Sequence, residues 1–223
     1  MSPSTPHFVV DVATSEADLA DACEVREQAY RHHLKDAAAG FSNIEALDRV
    51  GSQSLVLVCR DPATGRAVGT ARVQTNALKP LLIERSVILP HHIAACARAE
   101  VTRLAVLPGA HPMVKLYLMK AVYLYCQARG INWLVICARS ESLRRQYRAL
   151  GFQDFLPRGA MVPMAHAGQL PHFVFTMNLD ETRQQWQQQG HRLHIFMFET
   201  THLDLPRFDS ASSPLAPRHH KTA

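Results

Sequence analysis

Apolar residues recur at helical spacing from Leu19 through Ala22, Cys23, Ala29 and Tyr30 to His33, and Ser15 with Asp18 three residues on supplies a helix start. A first helix is therefore predicted from about Ser15 to Leu34. After a loop from Lys35 to Arg49, the apolar run Ser54-Leu-Val-Leu-Val-Cys59, the turn Asp61-Pro-Ala-Thr-Gly65 and the run Ala67-Val-Gly-Thr-Ala-Arg-Val73 read as a hairpin. Residues Asn76 to Arg98, broken by Pro80 and Pro90, are predicted as a connecting segment with a short helix. Glu100-Val-Thr-Arg-Leu-Ala-Val106 reads as a strand, and Leu118, Ala121, Val122, Tyr125 and Ala128 mark a helix closed by Arg129-Gly130. Trp133–Ala138 is apolar enough for a central strand, Leu143–Leu150 is a shorter helix stopped at Gly151, and His172–Leu179 alternates like a final strand.

This order predicts a flexible N-terminus over 1–7, one main domain over 8–180 and an extension over 181–208. A disordered tail poor in apolar residues is expected over 209–223. The extension begins with a polar helix, Glu181–Gln189, and continues into the apolar patch Leu193–Phe198, for which packing back on the domain and a homodimer contact both stay open.

At 223 residues, with 47% hydrophobic and 19% charged residues, the chain has enough apolar material for a substantial core. No run approaches the roughly 20 apolar residues of a membrane span and the N-terminus lacks a leader pattern, so a cytoplasmic location is expected. The five cysteines are scattered and read as reduced core thiols. The neighbouring His91 and His92 point in different directions and have no further ligand at metal-binding spacing, so no metal is expected. A net charge of +5 favours an acidic partner. The cations around the second half of the chain lack an accompanying aromatic motif, which argues against nucleic acid.

The candidate chemistry lies where charge interrupts apolar pattern. Glu100 and Arg103 open an otherwise apolar strand, and burying either without a partner costs several kcal/mol, on the order of 3–5. Arg26 falls on the inward stripe of the first helix and Arg72 near the end of the hairpin, with Glu45 and Asp48 in the loop between. These three cations and three anions can form one buried network. In a regular strand Glu100 and Arg103 face opposite ways; a bulge near Thr102 would bring them together.

The segment Leu143-Arg-Arg-Gln-Tyr147-Arg-Ala-Leu-Gly151-Phe152 and the element order resemble the N-acetyltransferase (GNAT) superfamily. That resemblance implies an α+β fold, an α-β-α sandwich whose mixed, mostly antiparallel sheet is flanked by helices, with Tyr147 protonating a departing thiolate. The loop Leu107-Pro-Gly-Ala-His-Pro-Met113 departs from the superfamily's glycine-rich pyrophosphate cradle, having one glycine and two prolines without N–H donors. Arg26 with Tyr30, Glu45 with Asp48, Arg72 and Glu100-Val-Thr102-Arg103 resemble, in that order, motifs of the N-acyl amino acid synthases and the related acyl-homoserine-lactone (autoinducer) synthases. His32-His-Leu34 and Leu104-Ala-Val106 lack the aromatics of the lactone synthases.

The resemblance implies a bacterial acyltransferase that moves a long fatty acyl group from acyl carrier protein to the α-amine of an amino acid. Glu100 would be the base, Arg103 or Arg72 would hold the acceptor carboxylate, and Arg26, Tyr30, Glu45, Asp48 and Thr102 would line the acceptor site. Leu104, Ala105, Val106, Cys137 and Ala138 would take the pantetheine, and Arg144, Arg145 and Arg148 would dock the carrier. The acyl chain would lie near Leu116, Met119 and Tyr123 or under Met161 and Met164. No permanent cofactor is expected; acyl-phosphopantetheine or acyl-CoA is the co-substrate, and the acyl product can bring the chain to a membrane surface. The competing readings are a lactone synthase, an acetyl-CoA-dependent N-acetyltransferase and a non-catalytic carrier- or nucleic-acid-binding domain.

Overall fold

The structure, a computed structural model, describes residues 7–33, 43–49, 53–201 and 204–209. Its elements are β1 (Val9–Val12), α1 (Glu16–His33), β2 (Ser54–Arg60), β3 (Ala67–Thr75), α2 (His91–Ala94), β4 (Arg98–Val106) and α3 (Met113–Ala128). There follow β5 (Trp133–Ala138), α4 (Glu141–Ala149), β6 (Gln153–Asp154), β7 (Val162–Met164), β8 (Leu170–Asn178) and α5 (Leu179–Gln189). The predicted hairpin, helices and longer strands are all present. Three short strands, β1, β6 and β7, come in addition, each too brief for its own periodic signal.

The strand order is β1-β2-β3-β4-β5-β8-β6, with β7 also paired to β8. All pairs are antiparallel except β4 with β5. Alternation along the strands separates two faces. Leu55, Leu57, Ala71, Val73, Ala99, Val101, Leu134 and Ile136 point to the main core with α3. Val56, Val58 and Ala105 meet α1 on the other face, where Leu81, Ile83 and Leu89 of the connecting segment cover Val135 and Val174. The result is the expected α-β-α sandwich.

Helix ends follow the local chemistry. Asp18 N–H donates to Ser15 Oγ at 3.1 Å while Ser15 N–H donates to Asp18 Oδ2 at 3.1 Å, a reciprocal cap on α1. Ser140 Oγ accepts from Leu143 N–H at 3.2 Å to start α4. At its other end Gly151 takes φ +93°, and Phe152 N–H returns to the Tyr147 carbonyl at 3.1 Å.

The apolar patch of the extension packs back on its own domain. Tyr117 and Tyr123 of α3 make edge contacts with Phe196 and Phe198. The buried Lys120 ammonium donates to the carbonyls of Phe196 and Thr200, and burial pushes its pKa down to about 8. Asp204 O accepts from Val10 N–H at 2.9 Å, so the extension also closes on β1. The predicted tail lies, apart from Asp209, outside the described residues, as do residues 1–6 of the predicted N-terminus.

A Cβ at Gly151 would meet Thr182 Cγ2 at 2.7 Å, in a backbone conformation that L side chains avoid. Gly151→Ala is expected to cost about 1–3 kcal/mol, read as a lower urea midpoint. An unchanged midpoint would show that the α4 exit tolerates a side chain.

Candidate active site

The site starts from an irregularity in β4. Opposite Thr70, Ala71 and Arg72 of β3, the register runs Ala105 to Thr102, so two residues of β4 face one of β3, and Arg103 takes φ +54°. This is the predicted bulge, located at Arg103. It turns Arg103 onto the face that already carries Glu100 and Thr102, while Leu104 returns to the main core.

On that face Arg26 from α1 grips Asp48 with two hydrogen bonds, 2.7 and 3.0 Å long. Arg72 Nη1 reaches Asp48 Oδ1 at 3.3 Å and also pairs with Glu45, and its Nε donates to Thr102 Oγ1 at 3.0 Å. Arg103 pairs with the other oxygen of Glu45. A short 3₁₀ turn, Ala46–Asp48, presents both carboxylates, with Glu45 N–H held by Asp48 Oδ2 at 3.0 Å. Burial alone raises the Asp48 and Glu45 carboxyls, but their arginine partners hold both below the usual carboxylate values. Five of the six predicted charges thus join by ion pairs.

Glu100 is the exception. Its carboxylate is 1% exposed and accepts the Ile83 N–H at 3.0 Å rather than an arginine. The 3₁₀ turn Leu82–Arg85 that presents this N–H is fixed by Arg98, whose guanidinium takes Glu84 at 3.0 and 2.9 Å. Burial pushes the Glu100 carboxyl up to about 7, against the opposing pull of Ile83 N–H and the Arg72 charge. The bulge brings Glu100 and Arg103 to one face without joining them.

Beside Glu100 the sheet splits. β4 and β5 pair from Arg98–Trp133 to Val101–Ile136 and no further, although β4 continues to Val106 and β5 to Ala138. Leu107 N–H turns to the Val68 carbonyl of β3 at 2.9 Å. By strand alternation the Leu104 and Val106 N–H groups then face the open side. Cys137 and Ala138 line the opposite wall, paired to β8 by their other edge. Tyr147 from α4 feels Tyr30 of α1 and Cys137 of β5 electrostatically. Burial raises the pKa of both hydroxyls, and Tyr30 also feels the charges of Arg103, Arg26 and Arg72.

Past the split, the first two N–H groups of α3 are already engaged. Met113 N–H donates to His111 Nδ1 at 3.1 Å and Val114 N–H to the His111 carbonyl at 3.0 Å, while Pro108 and Pro112 have none. Among the described residues no group of three metal-ligating side chains occurs, and no helix is long and apolar enough to cross a membrane.

Residues 21–166 match the family model for N-acyl amino acid synthase FeeM. The chain belongs to this family. The structure of FeeM, an N-acyl amino acid synthase from uncultured soil microbes, superposes with a TM-score of 0.63 at 20% identity, covering 86% of this chain and 99% of that one. An acetyltransferase of the GNAT family from Staphylococcus aureus gives 0.52 at 14% identity over 78% of this chain and 99% of its own. Escherichia coli ElaA gives 0.52 at 13% identity over 77% and 99%. No curated protein matches the sequence. The fold is that of the GNAT acyltransferases, and the protein is an N-acyltransferase of the FeeM family.

For this FeeM-family enzyme the structure gathers Arg26, Tyr30, Glu45, Asp48, Arg72, Thr102 and Arg103 on one face of the split, with Glu100 behind them and Tyr147 across it. The arginines of α4 divide. Arg144 is bound to Asp154 at 2.9 Å and to Glu141 at 3.2 Å, and Arg148 also pairs with Asp154; Arg145 is exposed. Met119, Tyr123 and Met164 are buried in the core, and Tyr123 is covered by Phe198. Two features gave no sequence signal: the Leu82–Arg85 turn that caps Glu100, and His166, brought to this face by a loop sixty residues later in the chain.

Asp48→Ala would leave two buried guanidiniums short of a partner and is expected to cost about 3–5 kcal/mol in urea unfolding. Arg49→Ala removes only the exposed pair with Glu16 and should cost under about 1 kcal/mol. Similar losses would mean the buried network carries no special weight. For Glu100, the unfolded chain binds fewer protons than the native one between pH 4.5 and about 7, so its contribution to stability falls as pH rises through that window. Glu100→Gln should therefore gain on the wild type from pH 4.5 to 8, by up to about 3 kcal/mol. A difference independent of pH would contradict the raised pKa.

Proposed function

We propose that the enzyme transfers a long fatty acyl group from acyl carrier protein to the α-amine of an amino acid, in the cytoplasm, where both are at hand. The observation that carries this reading is the split itself, with Glu100 and the Arg72–Arg103 pair on one side and, at its far end, a helix start flanked by Pro108 and Pro112 whose Met113 and Val114 N–H groups are already bonded. That helix start offers little to a coenzyme A pyrophosphate, whereas the open Leu104 and Val106 N–H groups suit a pantetheine arm lying along β4 like an added strand.

In this reading the acceptor carboxylate lies against Arg103 and Arg72, for which the planar guanidinium fork is suited. Glu100, directly or through water, takes one proton from the ammonium, which a carboxylate with a pKa of about 7 can do near neutrality. The free amine attacks the thioester carbonyl carbon, with an open β4 N–H polarising the carbonyl oxygen. As the C–N bond forms the C–S bond breaks. The second amine proton ends on the pantetheine sulfur, and the Tyr147 hydroxyl, which burial keeps protonated, donates a hydrogen bond to the departing thiolate. The remaining network, Arg26–Asp48 above all, fixes α1 and the Glu45 loop over this pocket. With Arg144 and Arg148 tied to Asp154, carrier docking falls chiefly to the exposed Arg145.

Mass spectrometry of lipids from cells expressing the chain should show new N-acyl amino acids; their absence would overturn the proposal. With purified protein, tetradecanoyl acyl carrier protein should be used more efficiently than tetradecanoyl-CoA, and Arg145→Glu should raise the KM for the carrier donor about tenfold. Equal use of both donors would place the acyl source on coenzyme A. Glu100→Gln should lose at least a hundredfold in kcat while remaining folded, and full activity would remove Glu100 as base.

A further inference from the structure

His166 sits in the 3₁₀ turn Ala165–Ala167 that joins β7 to β8. The turn is held firmly. Ala165 N–H donates to Ser86 Oγ at 2.8 Å, Gln169 N–H returns to the Met164 carbonyl at 2.9 Å, and Met164 is fully buried among Leu81, Ile83, Val135 and Val174. The imidazole is thereby fixed against the Leu82–Arg85 turn, whose Ile83 N–H binds Glu100.

Its Nδ1 is buried and has no hydrogen-bond partner among the described residues. An unmet buried acceptor or donor is costly, so one that persists in a folded chain calls for a cause, a catalytic role or a missing partner among them. The groups that act on the ring electrostatically are His172 of β8, Arg103 of β4 and Arg72 of β3. Burial first, and then these neighbours, push the imidazole down to about 4, while a backbone hydrogen bond with Leu82 works the other way. The ring is neutral at physiological pH and keeps a nitrogen lone pair. A carboxylate at this position would be drawn into the arginine network, as Glu45 is. A neutral imidazole beside two guanidiniums stays available to an N–H donor.

We propose that His166 Nδ1 accepts a hydrogen bond from the α-amine of the acceptor amino acid, while Arg103 and Arg72 hold its carboxylate; this rests on the amino acid acceptor proposed above. One cationic and one lone-pair contact, on groups fixed to different elements of the fold, match the two ends of an α-amino acid. The imidazole is too weak a base to remove the proton from the ammonium. It therefore orients the amine, and proton removal stays with Glu100, whose carboxyl is the stronger base. The arrangement also disfavours an acceptor that lacks either the amine or the carboxylate.

The test uses the full chain, tetradecanoyl acyl carrier protein and a pool of the twenty standard amino acids, followed by kinetics on the amino acid that is acylated. His166→Leu should raise the KM for that acceptor at least tenfold, with the donor KM and the melting temperature within experimental error of the wild type. His166→Gln, whose amide oxygen can accept the same hydrogen bond, should recover to within about threefold. A His166→Leu enzyme whose acceptor KM stays within twofold of the wild type would overturn the proposal. In the wild-type protein, the ¹⁵N signal of His166 Nδ1 should move on saturation with the acceptor. An unmoved signal would overturn the proposal without recourse to any variant. Failure of the wild type to acylate any amino acid would instead strike the acceptor class, and this inference with it.

Discussion

A single extra residue in β4 sets the geometry on which the rest of the site depends. Without it, strand alternation would send Arg103 into the main core beside Val101, where a guanidinium finds only apolar side chains and α3. With Arg103 in the left-handed region, the chain absorbs one residue against β3, and Thr102 and Arg103 both face α1. The strain of a non-glycine residue at positive φ, of order 1–3 kcal/mol, is offset by the ion pair that Arg103 makes with Glu45. Two consequences follow for the chemistry. Arg103 joins Arg72, and β4 departs from β5 just after Val101, exposing backbone N–H groups along one edge.

The buried charges then divide by role. Arg26, Asp48, Arg72, Glu45 and Arg103 form a chain in which each carboxylate binds two guanidiniums, and the carboxyls are held ionised. Such a cluster resists removal of any member, because its partners would be left buried and unmatched. It is suited to hold α1 and the Glu45 loop in place, and poorly suited to exchange protons. Glu100 differs in having backbone N–H groups for partners and a carboxyl raised toward neutrality by burial. The same face of one strand thus offers a fixed electrostatic frame and, three residues from Arg103, a group poised to titrate.

The opposite side of the sheet is organised by one buried cation. Among the described residues Lys120 has no carboxylate partner; instead its ammonium binds two carbonyls of the C-terminal extension, and aromatic edges from Phe196 and Phe198 seal the contact. This closes the α3 surface that an acyl chain would otherwise occupy near Met119 and Tyr123.

Local pattern was enough to determine the helices and longer strands, the fold class and the five charged residues of the network, because amphipathic periods, caps and a charge on an apolar strand are all written in neighbouring positions. The motif order from Arg26 to Gly151 also carried the family. The short strands β1, β6 and β7 were not legible, since two to four residues give no period and exist only by pairing with β2 and β8. Tertiary structure alone decided that the bulge falls at Arg103, that Glu100 answers to Ile83 rather than to Arg103, that Arg144 and Arg148 are spent on Asp154, and that His166 reaches the site. Each of these is a contact between residues distant in sequence or a choice among several available partners. Such choices are settled by which groups packing brings within hydrogen-bond reach, and no spacing along the chain encodes that distance.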